Sequence, residues 1–335
     1  MPGSRKLTSY ALTIILLFTL LIAVLIRIFA AQKQPELVEQ RRRSPVLGTF
    51  ATYAVIAQEE SAVFILSEMD SLARHLDFEL GVFSEGSVSS LNSRGFACIS
   101  EMSIDLQNLL EASLLIASLT DSLFDPSIGA LVNVWGFPHD PHLPDSLSIQ
   151  NALSISGLEN LKISTDTIRL NPGTLLDFGA IAKGYTADRV FDLALELGAH
   201  AVLVEIGGEI RCGGDPETGR IWRLAVRNPR LDEIQEMIML ENGAVATSGD
   251  YESFIYEDGD RFCHIIDPRT GYPETGVASV TVVADRAVIA DALATAIAVG
   301  GTGIASSVPD SLFRLIIVVM EDETGNLTEW RRGEV

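Results

Sequence analysis

The order of strand-forming and helix-forming segments constrains this fold more than any other feature of the chain. "VLGTFATYAV" (46–55) is apolar and β-branched and reads as a strand. Two helical stretches follow. Residues 61–80 place Val63, Leu66, Met69, Leu72, Ala73 and Leu76 at helical spacing. Residues 103–120 open on Ser103, a suitable N-cap. "LKIS" and "TIRL" around 161–170 predict a short hairpin. The second half is strand-rich, with strands expected over 201–206, 221–228, 237–243, 262–267, 279–284 and 313–321 and helices over 184–198 and 287–300. Strands and helices do not alternate regularly, so a doubly wound sheet does not fit. The pattern predicts an α+β, or mixed α/β, domain.

Charge narrows the ligands. The 335 residues carry a formal charge of −21 at pH 7. Nothing offsets phosphate repulsion, which excludes nucleic acid as a partner. Any anionic ligand then needs a local cation or a metal. The 47% hydrophobic content supplies ample core. Cys98, Cys212 and Cys263 form no C-x-x-C pair, so neither a zinc site nor a disulfide framework is indicated.

The N-terminus is a separate object. "ALTIILLFTLLIAVLI" (11–26) is uncharged and, apart from Thr13 and Thr19, apolar; after Arg27 the apolar run continues to residue 31. Its length lies between a signal-peptide core and a full span. We read 1–10 as a short tail, 11–31 as a transmembrane anchor or signal-anchor, 32–44 ("QKQPELVEQRRRS") as a polar tether, and 45–335 as one folded domain. Lys33 and Arg41–Arg43 on the far side place that domain in the cytoplasm by the positive-inside rule alone.

Six stretches are able to carry chemistry. In "DFGAIAKGYTADRV" (177–190), Asp177, Gly179, Ala180 and Lys183 sit on a turn entering a helix, where free N–H groups and a lysine suit an anion. The stretch is neither a P-loop nor a G-x-G-x-x-G turn, and an ordinary strand-to-helix connection is the plainer alternative. In "IADALATAIAVGG" (289–301), Asp291 and Thr295 share a helix face amid alanine and aliphatic residues. A buried carboxylate there needs a partner: a hard cation such as Mg²⁺, or the start of its own helix. In "HIIDPRTGYP" (264–273), His264 is a possible general base, or a satisfied histidine beside a turn. Strand alternation puts His264 with Ile266 and Ile265 with Asp267, which disfavours a direct His264–Asp267 pair. Gly207–Gly208 in "LVEIGGEI" (203–210) read as a strand bulge or, less simply, a close backbone approach to a ligand, and Thr247–Asp250 as a polar turn without a nucleophile elbow. "SLFDPSIGALVNVWGF" (122–137) carries a turn at Asp125-Pro126, with Trp135 and Phe137 as packing residues or pocket lining.

Taken in order, "LGTF", "SSLNS", "LFDPSIGALVNVWGF", "DFGAIAKGYTADRV", "EIGGEI", "VATSGDY", "HIIDPRTG" and "ADALATA" resemble the successive signatures of the ApbE family of FAD:protein FMN transferases, once labelled thiamine-biosynthesis lipoproteins. The resemblance spans nearly all of the chain after Leu47. It implies mixed, largely antiparallel sheets flanked by helices. It also implies Mg²⁺-dependent transfer of FMN from FAD to a Ser or Thr hydroxyl of an acceptor protein, with release of AMP. By the same resemblance the metal lies at Ala180, Asp291 and Thr295. Leu47, Phe83, Leu123, Phe124, Asp125, Asp177, Lys183 and Ile266 match positions around FAD. Lys183 stabilises charge on the leaving AMP, and His264 matches the base that deprotonates the acceptor. The implied acceptor is a membrane redox subunit, such as one of the sodium-pumping NADH:quinone reductase or Rnf type, and the implied place is outside the cytoplasmic membrane. Leu47 replaces a usual Met, Ala294 stands where some relatives have a second acid, and no cysteine precedes Cys98 to take a lipid. Hydrolysis of FAD to FMN and AMP, or simple FAD storage, are the competing activities.

Overall fold

In chain order the strands are β1 (Leu37–Val46), β2 (Thr49–Gln58), β3 (Phe96–Cys98), β4 (Leu161–Ile163), β5 (Thr167–Leu170), β6 (Ala201–Ile206), β7 (Glu209–Gly214), β8 (Trp222–Arg227), β9 (Ile234–Leu240), β10 (Gly243–Gly249), β11 (Phe254–Glu257), β12 (Asp260–Cys263), β13 (Val277–Ala284), β14 (Leu315–Glu321) and β15 (Leu327–Gly333). The helices are α1 (Glu59–Leu80), α2 (Ser87–Arg94), α3 (Ile104–Leu119), α4 (Gly129–Trp135), α5 (Ser146–Ile155), α6 (Ala182–Glu196) and α7 (Ala287–Ser307). This computed structural model describes residues 17–22, 36–215, 218–257, 260–322 and 324–335.

Eight strands form one sheet in the order β1-β2-β6-β7-β10-β13-β14-β15, every neighbouring pair antiparallel. The α+β expectation holds. Both faces of the sheet are covered. Ala244, Ala246, Val280, Val282, Ile316 and Val318 pack with the helices in the main core. Val245, Val283, Leu315, Ile317 and Val319 pack on the opposite side against Trp222, Leu224, Val226, Ile238 and Leu240 of the β8–β9 hairpin. Double coverage explains why "SVTVVA" and "LIIVV" are apolar throughout, although such runs usually mark parallel strands. The side chain of Ser103 accepts the Leu106 N–H at 3.2 Å and caps α3 as expected.

Several boundaries differ from the sequence reading. The single strand expected over 46–55 is a hairpin, turning at Leu47 (φ 50°) and Gly48 (φ 69°). Two left-handed residues match the twist of a two-residue hairpin. Its first strand, β1, begins at Leu37, inside the stretch read as a tether. That stretch carries polar, mostly exposed side chains because β1 is an edge strand. Gly207 and Gly208 form the tight turn between β6 and β7 rather than a bulge. Thr247–Gly249 lie within β10, and the turn begins only at Asp250. β12 stops at Cys263, short of the strand expected to reach residue 267.

Among the described residues, one helix is long and apolar enough to cross a bilayer. It is α7, and 61% of its apolar window is buried, as befits a core helix. Residues 17–22 of the N-terminal apolar stretch are helical. The rest of the expected anchor, and the tail before it, lie outside the described residues.

Candidate active site

The segment 177–190 is a built turn. Asp177 Oδ1 accepts the Gly179 N–H at 2.7 Å, and the Phe178 carbonyl accepts both Ile181 N–H (3.0 Å) and Ala182 N–H (2.8 Å). Ala180 therefore sits on the turn just before α6, and Lys183 is the second residue of that helix.

At Gly184, α6 meets α7. A Cβ there would stand 2.3 Å from the Ala287 carbonyl oxygen and 2.8 Å from Asp291 Cβ. Glycine is needed for this close approach. It lets Asp291 Oδ2 accept the Gly184 N–H at 2.9 Å, one of the donors a helix start leaves free. Asp188 of α6 returns the bond, accepting Ala287 N–H and Val288 N–H at 3.0 Å each. The two helices cap each other, so Asp291 serves the neighbouring helix, not its own. Gly184→Ala is expected to destabilise the fold by about 1–3 kcal/mol through overpacking. A lower urea midpoint, with weakened activity as Asp291 is displaced, is the result to look for.

Thr295 lies one turn beyond Asp291, and its Oγ1 is 3.2 Å from Ser248 Oγ on β10. Lys183 Nζ donates to Glu209 Oε1 at 2.6 Å. Glu209, on β7, is buried, and its Oε2 has no hydrogen-bond partner among the described residues. Burial pushes the Lys183 ammonium down, but Glu209, Asp291 and Glu252 outweigh that and raise it. Burial also raises the carboxyls of Glu209 and Asp291, against the pull of Lys183. Glu209 and Asp291 are buried while Glu252 is solvent-exposed, and all three act on the one ammonium of Lys183. Neither Glu209 nor Glu252 was singled out in the sequence. Glu209 is 26 residues from Lys183 along the chain, and only the fold joins them.

These donors fit a hard cation. Asp291 offers a carboxylate and Thr295 a hydroxyl one turn apart on α7, and Ala180 carries a backbone carbonyl on the turn before α6. Among the described residues no three His, Cys, Asp or Glu side chains form a metal cage. A lean oxygen set suits Mg²⁺, which keeps waters and takes phosphate oxygens.

His264 follows β12 and is half-buried. Its ring contacts the Ser253 carbonyl through Nδ1 at 3.3 Å. A carbonyl only accepts, so the neutral ring carries its proton on Nδ1 and leaves the Nε2 lone pair free. Phe137 packs edge-on against the ring at 6.3 Å. Burial, then the charge of Lys183, lowers the imidazole to about 4. The ring is neutral at pH 7. An NMR titration is expected to find His264 uncharged as pH falls through the usual value near 6.5, and protonated only near about 4. The unfolded chain takes that proton near the usual value, so this residue's share of stability is complete above it and is lost as pH falls from there toward about 4. Asp267 pairs with Arg269 at 2.7 Å instead of with His264. Alternation survives the end of the strand: Ile266 packs with Trp135 and Phe137, while Ile265 joins the main core.

A salt-bridge network braces the neighbouring loop. Arg230 donates to both oxygens of Asp250 at 2.8 Å and also bonds Glu321, and Arg261 bonds Asp250. Asp250 begins the turn that carries Glu252 and Ser253.

The residues matched to FAD fall at several places. Asp177 N–H donates to the Pro126 carbonyl at 2.8 Å, so Leu123, Phe124 and Asp125 lie beside the Asp177 turn. Leu123 and Phe124 are buried. Asp125 Oδ1 accepts Ser127 N–H at 2.7 Å and Oδ2 accepts Leu158 N–H at 3.2 Å. That carboxylate shapes the wall rather than offering a free acceptor. Leu47 lies on the β1–β2 turn, next to Thr49, which a Cβ at Gly207 would touch at 2.8 Å. Phe83 stands apart, 64% exposed and edge-on to His139 at 4.5 Å.

The sequence matches the ApbE family over residues 47–311. The FAD:protein FMN transferase of Vibrio cholerae is 32% identical over 290 residues, covering 83% of this chain and 87% of that one. The FAD:protein FMN transferase of Haemophilus influenzae is 27% identical over 329 residues, covering 92% and 93%. Among solved structures, the ApbE protein from Thermotoga maritima superposes with a TM-score of 0.80 at 32% identity, covering 89% of this chain and 97% of that one. The flavin transferase ApbE from Vibrio cholerae gives 0.76 at 29% identity, covering 88% and 97%. Sequence and architecture agree over nearly the whole folded region, and the chain belongs to the ApbE family.

Proposed function

We propose that this chain is a Mg²⁺-dependent FAD:protein FMN transferase. The relatives named above support the activity. The single structural observation that carries the site is the half-buried Lys183 at the start of α6, whose Nζ donates to the buried Glu209, with the charges of Asp291 and Glu252 also acting on it. A helix start with a lysine receives a pyrophosphate, and the surplus carboxylate charge receives a divalent cation.

In this reading the Asp177 turn and Lys183 hold the pyrophosphate of FAD. Ala180, Asp291 and Thr295 would hold Mg²⁺, which when bound neutralises the pyrophosphate charge. The Oγ of an acceptor Ser or Thr forms a bond to the FMN-side phosphorus. The bond from that phosphorus to the bridging oxygen breaks, and AMP leaves with the oxygen. The hydroxyl proton passes to His264 Nε2. Lys183 stabilises the charge gathering on AMP. The work is positioning and charge neutralisation, which dominates phosphoryl transfer.

Residues 11–31 supply a membrane anchor in this reading, with the domain outside the cytoplasmic membrane and a membrane redox subunit as acceptor. Protease accessibility in intact cells tests that placement.

The activity is tested with FAD, Mg²⁺ and an acceptor carrying a Ser or Thr target. The expected result is an acceptor heavier by one FMN, absent with EDTA. Release of AMP with every tested acceptor unlabelled would make the chain a hydrolase instead.

A further inference from the structure

We propose that Glu209 is the positioning residue that fixes the Lys183 ammonium for transfer; this rests on the reading of Lys183 given above. Lys183 is a cation at the positive end of α6, where the helix dipole repels it. Its flexible stem needs a counter-charge to stay aimed inward. Glu209 Oε1 supplies that charge at 2.6 Å from a buried position on the sheet.

The backbone around Glu209 is held for this purpose. Gly207 (φ 62°) and Gly208 (φ 109°) turn the chain so that Glu209 opens β7. Gly207 N–H donates to the Phe50 carbonyl at 3.2 Å, and Glu205 Oε1 accepts the Gly208 N–H at 3.0 Å. A Cβ at Gly207 would lie 3.4 Å from Lys183 Cδ, so the turn packs along the lysine stem. Among the described residues, Glu209 Oε2 has no second bond to hold the carboxylate elsewhere. The ion pair links the start of α6 to the β6–β7 hairpin, and the Gly207–Phe50 bond ties that hairpin to β2.

The test compares kcat and KM for FAD at saturating acceptor and Mg²⁺. Glu209→Ala is expected to lower kcat by about 10²-fold, as a misplaced group does, with a smaller rise in KM because Lys183 also holds the pyrophosphate. Glu209→Gln keeps an acceptor oxygen in place but removes the counter-charge, and is expected to recover only part of the rate. In a Lys183→Ala background, Glu209→Ala is expected to have no further effect. Should Glu209→Ala fail to fold, Glu209→Asp keeps the charge but withdraws the oxygen by a methylene, and the same loss of kcat is expected. A wild-type kcat in the folded Ala or Asp variant, or a second full loss in the Lys183→Ala background, overturns the positioning role. A wild-type kcat in Lys183→Ala overturns the reading of the site itself.

Discussion

Asp291→Asn is expected to leave the protein folded and to lower flavin transfer by about 10³-fold, because Lewis-acid stabilisation is worth several kcal/mol and each 1.36 kcal/mol is tenfold in rate. The two effects separate because Asp291 has two duties in the proposed reading. Its Oδ2 accepts the Gly184 N–H at 2.9 Å, and an asparagine oxygen can do the same. The negative charge, by contrast, is what a divalent cation needs, and the amide lacks it. Asp291→Ala removes both, so a further loss of about 1 kcal/mol of stability is expected from the missing cap. Urea unfolding and AMP release, measured side by side, check the split. Transfer at the wild-type rate in Asp291→Asn would remove this residue from the chemistry.

His264→Asn is expected to lower transfer by about 10²–10⁴-fold, the usual range for loss of a general base. Asparagine keeps an N–H able to reach the Ser253 carbonyl, which His264 now contacts at 3.3 Å. It offers no basic lone pair. FAD affinity is therefore expected to stay near wild type, while the chemical step slows. An imidazole lowered to about 4 is a weak base but is fully unprotonated at neutral pH. Single-turnover labelling of the acceptor, with FAD binding measured separately, resolves the two. Undiminished labelling in His264→Asn would leave the acceptor proton to another group.

Much of the fold was legible because its strongest elements are patterned. "AVLVEI" at 201–206 and the apolar run of β13 announce themselves through composition. β1 does not, since an edge strand with exposed arginines has no apolar alternation to read. Short elements such as α4 and β11 carry too few residues to establish a period. The site divides the same way. The Lys183 turn and the Asp291–Thr295 spacing are local, so sequence locates them. The Gly184–Asp291 bond spans 107 residues and the Lys183–Glu209 pair spans 26, and neither leaves a local trace. Glu209 sits within "EIGGEI", but nothing in that stretch marks its lysine partner. The two-residue hairpin at Gly207–Gly208 is itself a local feature, since Gly-Gly between two strand-forming runs favours such a turn.

The most direct test of a cation-dependent FMN transfer site around Lys183 is stoichiometric. Purified protein is mixed with FAD, Mg²⁺ and an acceptor known to carry covalent FMN, and AMP released is counted against flavin covalently bound. The account predicts one AMP per attached FMN, and neither product once EDTA is added. AMP formed in large excess over attached flavin, or labelling that persists without a divalent cation, would contradict it.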